Sequence, residues 1–266
     1  MHSNLGHSDF PAGSVWLVGA GPGDVELLTL KAARLIAAAE IVFHDALVGP
    51  DILALAARAE LVSVGKRAGR HSKDQRTIDT MLVAAARTGK RVLRLKGGDP
   101  SLFGRSAEEM TALRDAGIRV QVCPGITAAS AAAASAGVSL SLRGTAREVR
   151  FVTAHSRNGA ALDLDWQGLA AGKPTLAFYM GRGAAGEIAR RLIEAGLDPA
   201  TPVLIACDVS LSHERRLATR LDLLSVATRA FAEDAPTLIL VGEAVRTEGK
   251  QLLAAPAMRE AMHGQP

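Results

Sequence analysis

Three glycine turns, each set directly after a short run of apolar and β-branched residues, constrain this chain more than any other feature. They are Gly19-Ala20-Gly21-Pro22-Gly23-Asp24, then Gly97-Gly98-Asp99-Pro100, then Pro124-Gly125-Ile126-Thr127-Ala128. Each preceding run has the length of a buried strand, and each turn leads into a helical stretch. Strand, turn and helix repeated in this way fold as a largely parallel sheet covered by helices. In such a sheet the carboxyl ends of the strands lie at one edge, where open α/β proteins bind their ligands. Three turns converging there say more than any one of them.

The spacing predicts strands at 15–18, 41–43, 61–64 and 91–95, and helices at 27–38, 51–57, 75–86 and 107–116. Ile78, Met81, Leu82 and Ala85 share one helical face, and Gly117 stops the fourth helix as a left-handed cap. In the second half, strands are expected at 149–153, 175–179, 203–206 and 237–241, and helices at 186–195 and 221–230. An extra antiparallel strand is expected at 213–219, where Leu217 and Thr219 alternate with charged neighbours. The expectation is an α/β chain with an N-terminal extension at 1–14, α/β domains at 15–144 and 145–246, and a tail at 247–266.

Composition narrows the class. With 266 residues, 48% of them hydrophobic and 22% charged, the chain is long enough for a real core and unlike a disordered or coiled-coil sequence. Residues 120–142 carry no charge but include Pro124, Gly125 and Gly137 among alanines and serines, so a tightly packed helix is expected there, not a membrane span. No basic region followed by an apolar stretch opens the chain, so a cytoplasmic location is expected. Cys123 and Cys207 stand in no metal or disulfide spacing, and no metal site is expected. A net charge of +4 favours anionic partners, whereas 3% aromatic residues are few for stacking nucleic-acid bases. The charge does not demand nucleic acid, and neither a nucleic-acid nor a membrane partner is expected.

Several motifs admit more than one reading. The first glycine turn, with Asp45 after the second strand, imitates a dinucleotide fingerprint. Against that, Pro22 offers no N–H to a pyrophosphate, and Asp24 fills the place of the third glycine. A plain structural turn and a site for another ligand both remain open. Lys66, Arg67, Arg70, His71 and Lys73 make one loop strongly basic, either a grip for carboxylates and phosphates or a solvated surface. His44 and His155 read equally as proton shuttles or as polar residues at strand ends. No nucleophile elbow and no phosphate-loop lysine occur, so hydrolase triads and phosphoryl transfer lack support.

Taken together, these motifs resemble the tetrapyrrole methylase family from about residue 15 to residue 245. Further elements are Gly65-Lys66-Arg67-Ala68-Gly69 with His71 and Gln75, Arg94-Leu95-Lys96 before the glycine pair, Phe103-Gly104-Arg105 with Glu108-Glu109, Tyr179-Met180-Gly181 and Val241-Gly242-Glu243. The resemblance implies two α/β domains with S-adenosylmethionine in a cleft between them, in a homodimer. The implied reaction is methylation of uroporphyrinogen III at C2 and C7, which gives precorrin-2 for sirohaem or cobalamin and leaves S-adenosylhomocysteine. By the same resemblance Pro22, Gly97, Gly98, Asp99, Leu102, Thr127, Ala128, Met180 and Val209 fall on cofactor-binding positions. Asp45 falls on a proton acceptor and Lys66 on a proton donor, with Arg67, Arg70, His71 and Arg105 as substrate contacts.

The chain departs from the family pattern at Ser141-Leu142-Arg143, Ala154, His44 and Ser106-Ala107. A glycine is also common in the family where Val209 stands. Alternatives are a related methylase acting on another precorrin or on ribosomal RNA, a methylase of a diphthine precursor on a protein, and a non-catalytic binding protein.

Overall fold

The computed structural model describes residues 10–65, 74–154 and 162–247. The chain divides into two compact units, Met1–Thr127 and Ala128–Pro266.

The first unit is built on β1 (Val15–Gly19), β2 (Ile41–His44), β3 (Glu60–Ser63), β4 (Val92–Lys96) and β5 (Val120–Cys123). They form one sheet in the order β3-β2-β4-β1-β5, with every pairing parallel. Helices α1 (Leu30–Ala38), α2 (Pro50–Ala54), α3 (Gln75–Arg87) and α4 (Ser106–Asp115) connect the strands. Side chains alternate across a strand, so a sheet covered on both sides needs two cores. Trp16 and Val18 of β1 enter a cluster with Leu35, Ile36 and Ile52 of α1 and α2. Val15 and Leu17 face the other way, into a cluster with Ile78 and Leu82 of α3 and Leu113 of α4. The helix expected at 27–38 starts later, because the Thr29 side chain caps α1 by accepting from the Ala32 N–H at 3.0 Å. Asp24 caps a separate 3-10 turn at Val25–Leu27.

The second unit contains α5 (Ala128–Ala136), β6 (Val149–Thr153), α6 (Trp166–Ala170), β7 (Thr175–Tyr179), α7 (Ala185–Glu194), β8 (Pro202–Cys207), β9 (Arg215–Arg220), α8 (Leu224–Phe231) and β10 (Thr237–Val241). Its sheet runs β6-β7-β10-β8-β9. Only β6 and β7 are parallel; β10 is antiparallel to both β7 and β8, and β9 is antiparallel to β8. Phe178, Ile188, Leu192, Ile205 and Ile239 form the centre of its core. The division between units falls ahead of the expected 144/145 boundary because α5 is fastened to the second unit. The Ala129 N–H donates to the Tyr179 hydroxyl at 3.2 Å, and the Ser135 hydroxyl donates to Glu214 at 2.5 Å.

Among the described residues, no helix is long and apolar enough to cross a membrane.

Candidate functional site

At the carboxyl edge of the first sheet the three glycine turns touch through main-chain atoms. Gly21 and Gly98 exchange two backbone hydrogen bonds, of 3.2 and 2.7 Å, and both adopt left-handed φ, +67° and +68°. A β-carbon on Gly19 would lie 2.6 Å from the Gly125 Cα, and one on Gly125 would lie 2.2 Å from the Gly98 carbonyl oxygen. These approaches exclude any side chain. A β-carbon on Gly98 would meet nothing within 4 Å. The segment therefore presents bare backbone to open space. Asp99 stitches the turns together, accepting from the Gly125 N–H at 3.0 Å and the Ser101 N–H at 2.7 Å. Pro22 and Leu102 flank this wall and are half-buried.

Beneath it lies a cluster of four charges. Arg94 and Lys96 project from the same side of β4, toward α3 and α4, and each is 3% exposed. Glu109 of α4 is fully buried, accepting from Arg94 Nε at 2.9 Å and from Lys96 Nζ at 2.9 and 3.0 Å. A second Arg94 nitrogen donates to Asp45 Oδ1 at 2.5 Å, and a third to the Leu95 carbonyl at 3.1 Å. Burial opposes charge on Arg94, yet Asp45 and Glu109 outweigh it and hold the guanidinium above its ordinary pKa. Lys96 lies below its ordinary value, through burial first and the neighbouring Arg94 cation second. Asp45 is the open member, its side chain 33% exposed just past the end of β2.

The Glu108-Glu109 pair does not by itself single out Glu109, yet the sequence carries a signal for its role. Arg94 and Lys96 alternate with apolar residues in a strand whose both faces are covered, and buried cations require an acid. His44 is also buried, its Nδ1 3.1 Å from the Asp45 carbonyl. Arg105, expected as a substrate contact, is engaged by Glu108 at 2.7 and 2.8 Å and is largely exposed. Lys66, Arg67, Arg70, His71 and His155 lie outside the described residues.

In the second unit the expected cofactor positions follow strand ends. Met180 comes after β7, is half exposed, and has φ +56°. Val209 comes after β8, buried between Asp208 at φ +51° and Ser210 at φ +66°. Left-handed φ is uncommon at residues with a β-carbon; in this unit Lys173 and Glu233 adopt it as well. Glu214 secures the loop by accepting from the Ser210 N–H at 2.6 Å.

Two α/β units, the first presenting bare backbone at the carboxyl edge of a parallel sheet, define an α/β ligand-binding protein. The chain belongs to the tetrapyrrole (corrin/porphyrin) methylases, whose family model matches residues 14–224. It is 47% identical over 239 residues to a siroheme synthase of Azotobacter vinelandii, covering 90% of this chain and 51% of that protein. It is 48% identical over 239 residues to siroheme synthase 2 of Cronobacter sakazakii, again covering 90% and 51%. The chain thus spans about half the length of the curated relatives it matches. Among solved structures it resembles uroporphyrin-III C-methyltransferase of Thermus thermophilus in complex with S-adenosylhomocysteine. There the TM-score is 0.75 at 40% identity, covering 88% of this chain and 99% of that one.

Proposed function

We propose that this chain methylates uroporphyrinogen III at C2 and C7, giving precorrin-2, with S-adenosylmethionine as methyl donor. The observation that carries this is the bare Gly97-Gly98 backbone, in a chain that matches almost the whole length of a methyltransferase solved with the spent cofactor. The open space before Gly98 fits a ligand approached by main chain alone. The family resemblance supports Pro22, Gly97, Gly98, Asp99, Leu102, Thr127, Ala128, Met180 and Val209 as the cofactor contacts.

When bound, the cofactor offers an electrophilic methyl on sulfur and departs as a neutral thioether. The pyrrole carbon supplies the electron pair for the new C–C bond as the C–S bond breaks, and the macrocycle gains positive charge. Asp45, one-third exposed, steadies that charge and accepts the proton the ring must then lose. Lys66 returns a proton when the ring tautomerises. The substrate carries eight carboxylates, which suits Arg67, Arg70, His71 and Arg105 as contacts. We further propose a homodimer in the cytoplasm.

Incubation with S-adenosylmethionine and uroporphyrinogen III, followed by product mass, tests this. Two added methyl groups are expected, with a singly methylated species early. Labelling of RNA or another precorrin, with uroporphyrinogen III untouched, refutes it.

A further inference from the structure

Three of the four charges beneath the glycine wall face no solvent, and the fourth is the carboxylate that opens outward. Arg94 joins the two parts. Its Nε is held by Glu109, one terminal nitrogen by the Leu95 carbonyl, and the other is spent on Asp45. Glu109 is itself fixed by two bonds from Lys96 and a longer one of 3.4 Å from Gln75, whose amide also reaches Asp79 at 2.9 Å. A guanidinium tied at all three nitrogens cannot turn, because its donors form a rigid planar fork. The Asp45 backbone is also restrained, its N–H donating to the Leu95 carbonyl and its carbonyl accepting from the Val48 N–H at 3.3 Å. The side-chain torsions are the remaining freedom of this residue, and Arg94 removes it.

We infer that Arg94 is a positioning residue for methyl transfer, an internal clamp that aims the Asp45 carboxylate while touching neither substrate nor cofactor. This rests on the reading of Asp45 as proton acceptor. Charge alone does not meet the requirement, since a lysine in place of Arg94 carries the same charge but is a point donor without the fork. It cannot hold Glu109 and Asp45 together in fixed orientation. A misaimed base costs rate in the chemical step and leaves ligand affinity alone.

The test is a double-mutant cycle of Arg94→Lys and Asp45→Asn, read by single-turnover methylation of uroporphyrinogen III at saturating cofactor. Calorimetric affinity for S-adenosylhomocysteine is measured on each protein. Arg94→Lys is expected to slow methylation roughly ten-fold or more with cofactor affinity unchanged, and to slow it no further once Asp45 is asparagine. Equal slowing in both backgrounds, or a wild-type rate for Arg94→Lys beside a slow Asp45→Asn, overturns the clamp and leaves Asp45 in place. A wild-type rate for Asp45→Asn removes Asp45 from the mechanism, and the clamp with it. Should Arg94→Lys fail to fold, Glu109→Gln weakens the far anchor of the same guanidinium at almost constant volume, removing its charge and one of its two acceptor oxygens. It is expected to show the same split and the same lack of effect with Asp45→Asn, and additive slowing there is equally decisive against the clamp.

Discussion

Glu108 and Glu109 are adjacent, identical in type and opposite in circumstance, which makes their replacement by alanine a measurement of what burial does to an ion pair. The Glu108 side chain is 52% exposed beside Arg105, itself 58% exposed. An exposed pair of this kind contributes about 0.2–1 kcal/mol. Glu109 is fully buried between Arg94 and Lys96, which are 3% and 4% exposed at the side chain. Removing it strands two buried cations with only Asp45 as counter-charge, and breaking a buried pair in this way costs about 3–5 kcal/mol. At roughly 2–4 °C per kcal/mol for a chain approaching this size, the melting temperature should fall by about 6–20 °C for Glu109→Ala. For Glu108→Ala the fall should be no more than about 4 °C by the same conversion. Trp16 lies in the first unit and Trp166 in the second, both buried. Urea unfolding followed by Trp16 fluorescence in a Trp166→Phe background therefore reports the unit that carries the cluster. Equal losses for the two alanine variants, or a loss below about 1 kcal/mol for Glu109→Ala, would refute the assignment of the cluster as buried and mutually dependent.

Gly98→Ala should fold, with about 1–2 kcal/mol lost to its left-handed φ, and should bind S-adenosylhomocysteine far more weakly by calorimetry. Gly125→Ala should lose more stability in the same unfolding assay, because its β-carbon collides with the Gly98 carbonyl; comparable losses would contradict that contact. Burial raises the Cys207 thiol above its ordinary 9.0, outweighing the lowering effect of its bond with Thr237. The native state therefore keeps that proton where the unfolded chain releases it, so this group's contribution is intact below pH 9.0 and is lost as pH rises through the higher native value. Stability of wild type minus Cys207→Ala, followed across the alkaline range, should fall with pH; a flat difference argues against it. NAD should give no heat on titration, since Pro22 has no N–H for a pyrophosphate and the Asp24 carboxylate is turned to the Glu26 N–H at 2.9 Å.

The first sheet was largely legible because each of its strands is a short run rich in apolar and β-branched residues followed by a turn or helix, so local period and global topology agree. The three glycine turns were legible for the same reason, and the structure brings them into contact. Strand order in the second unit was not, because β10 enters between β7 and β8 from far along the chain and nothing local to 237–241 specifies its neighbours. The unit boundary was hidden by α5, an alanine-rich helix whose membership is decided by bonds to Tyr179 and Glu214. Left-handed Met180 carries no sequence mark, since a side chain this long adopts such φ only when the surrounding fold compels it. Glu109 stands beside an exposed glutamate of the same helix, and only the helical phase separates the two fates.

Contact among Gly19, Gly98 and Gly125 makes the proposed cofactor wall of the first unit out of peptide groups. Such a wall has no side chains to vary. In any library, selection at these three positions should return glycine. An altered cofactor, such as one carrying a larger alkyl group on sulfur, must be accommodated at positions that do carry side chains, of which the half-buried Pro22 and Leu102 flank this wall.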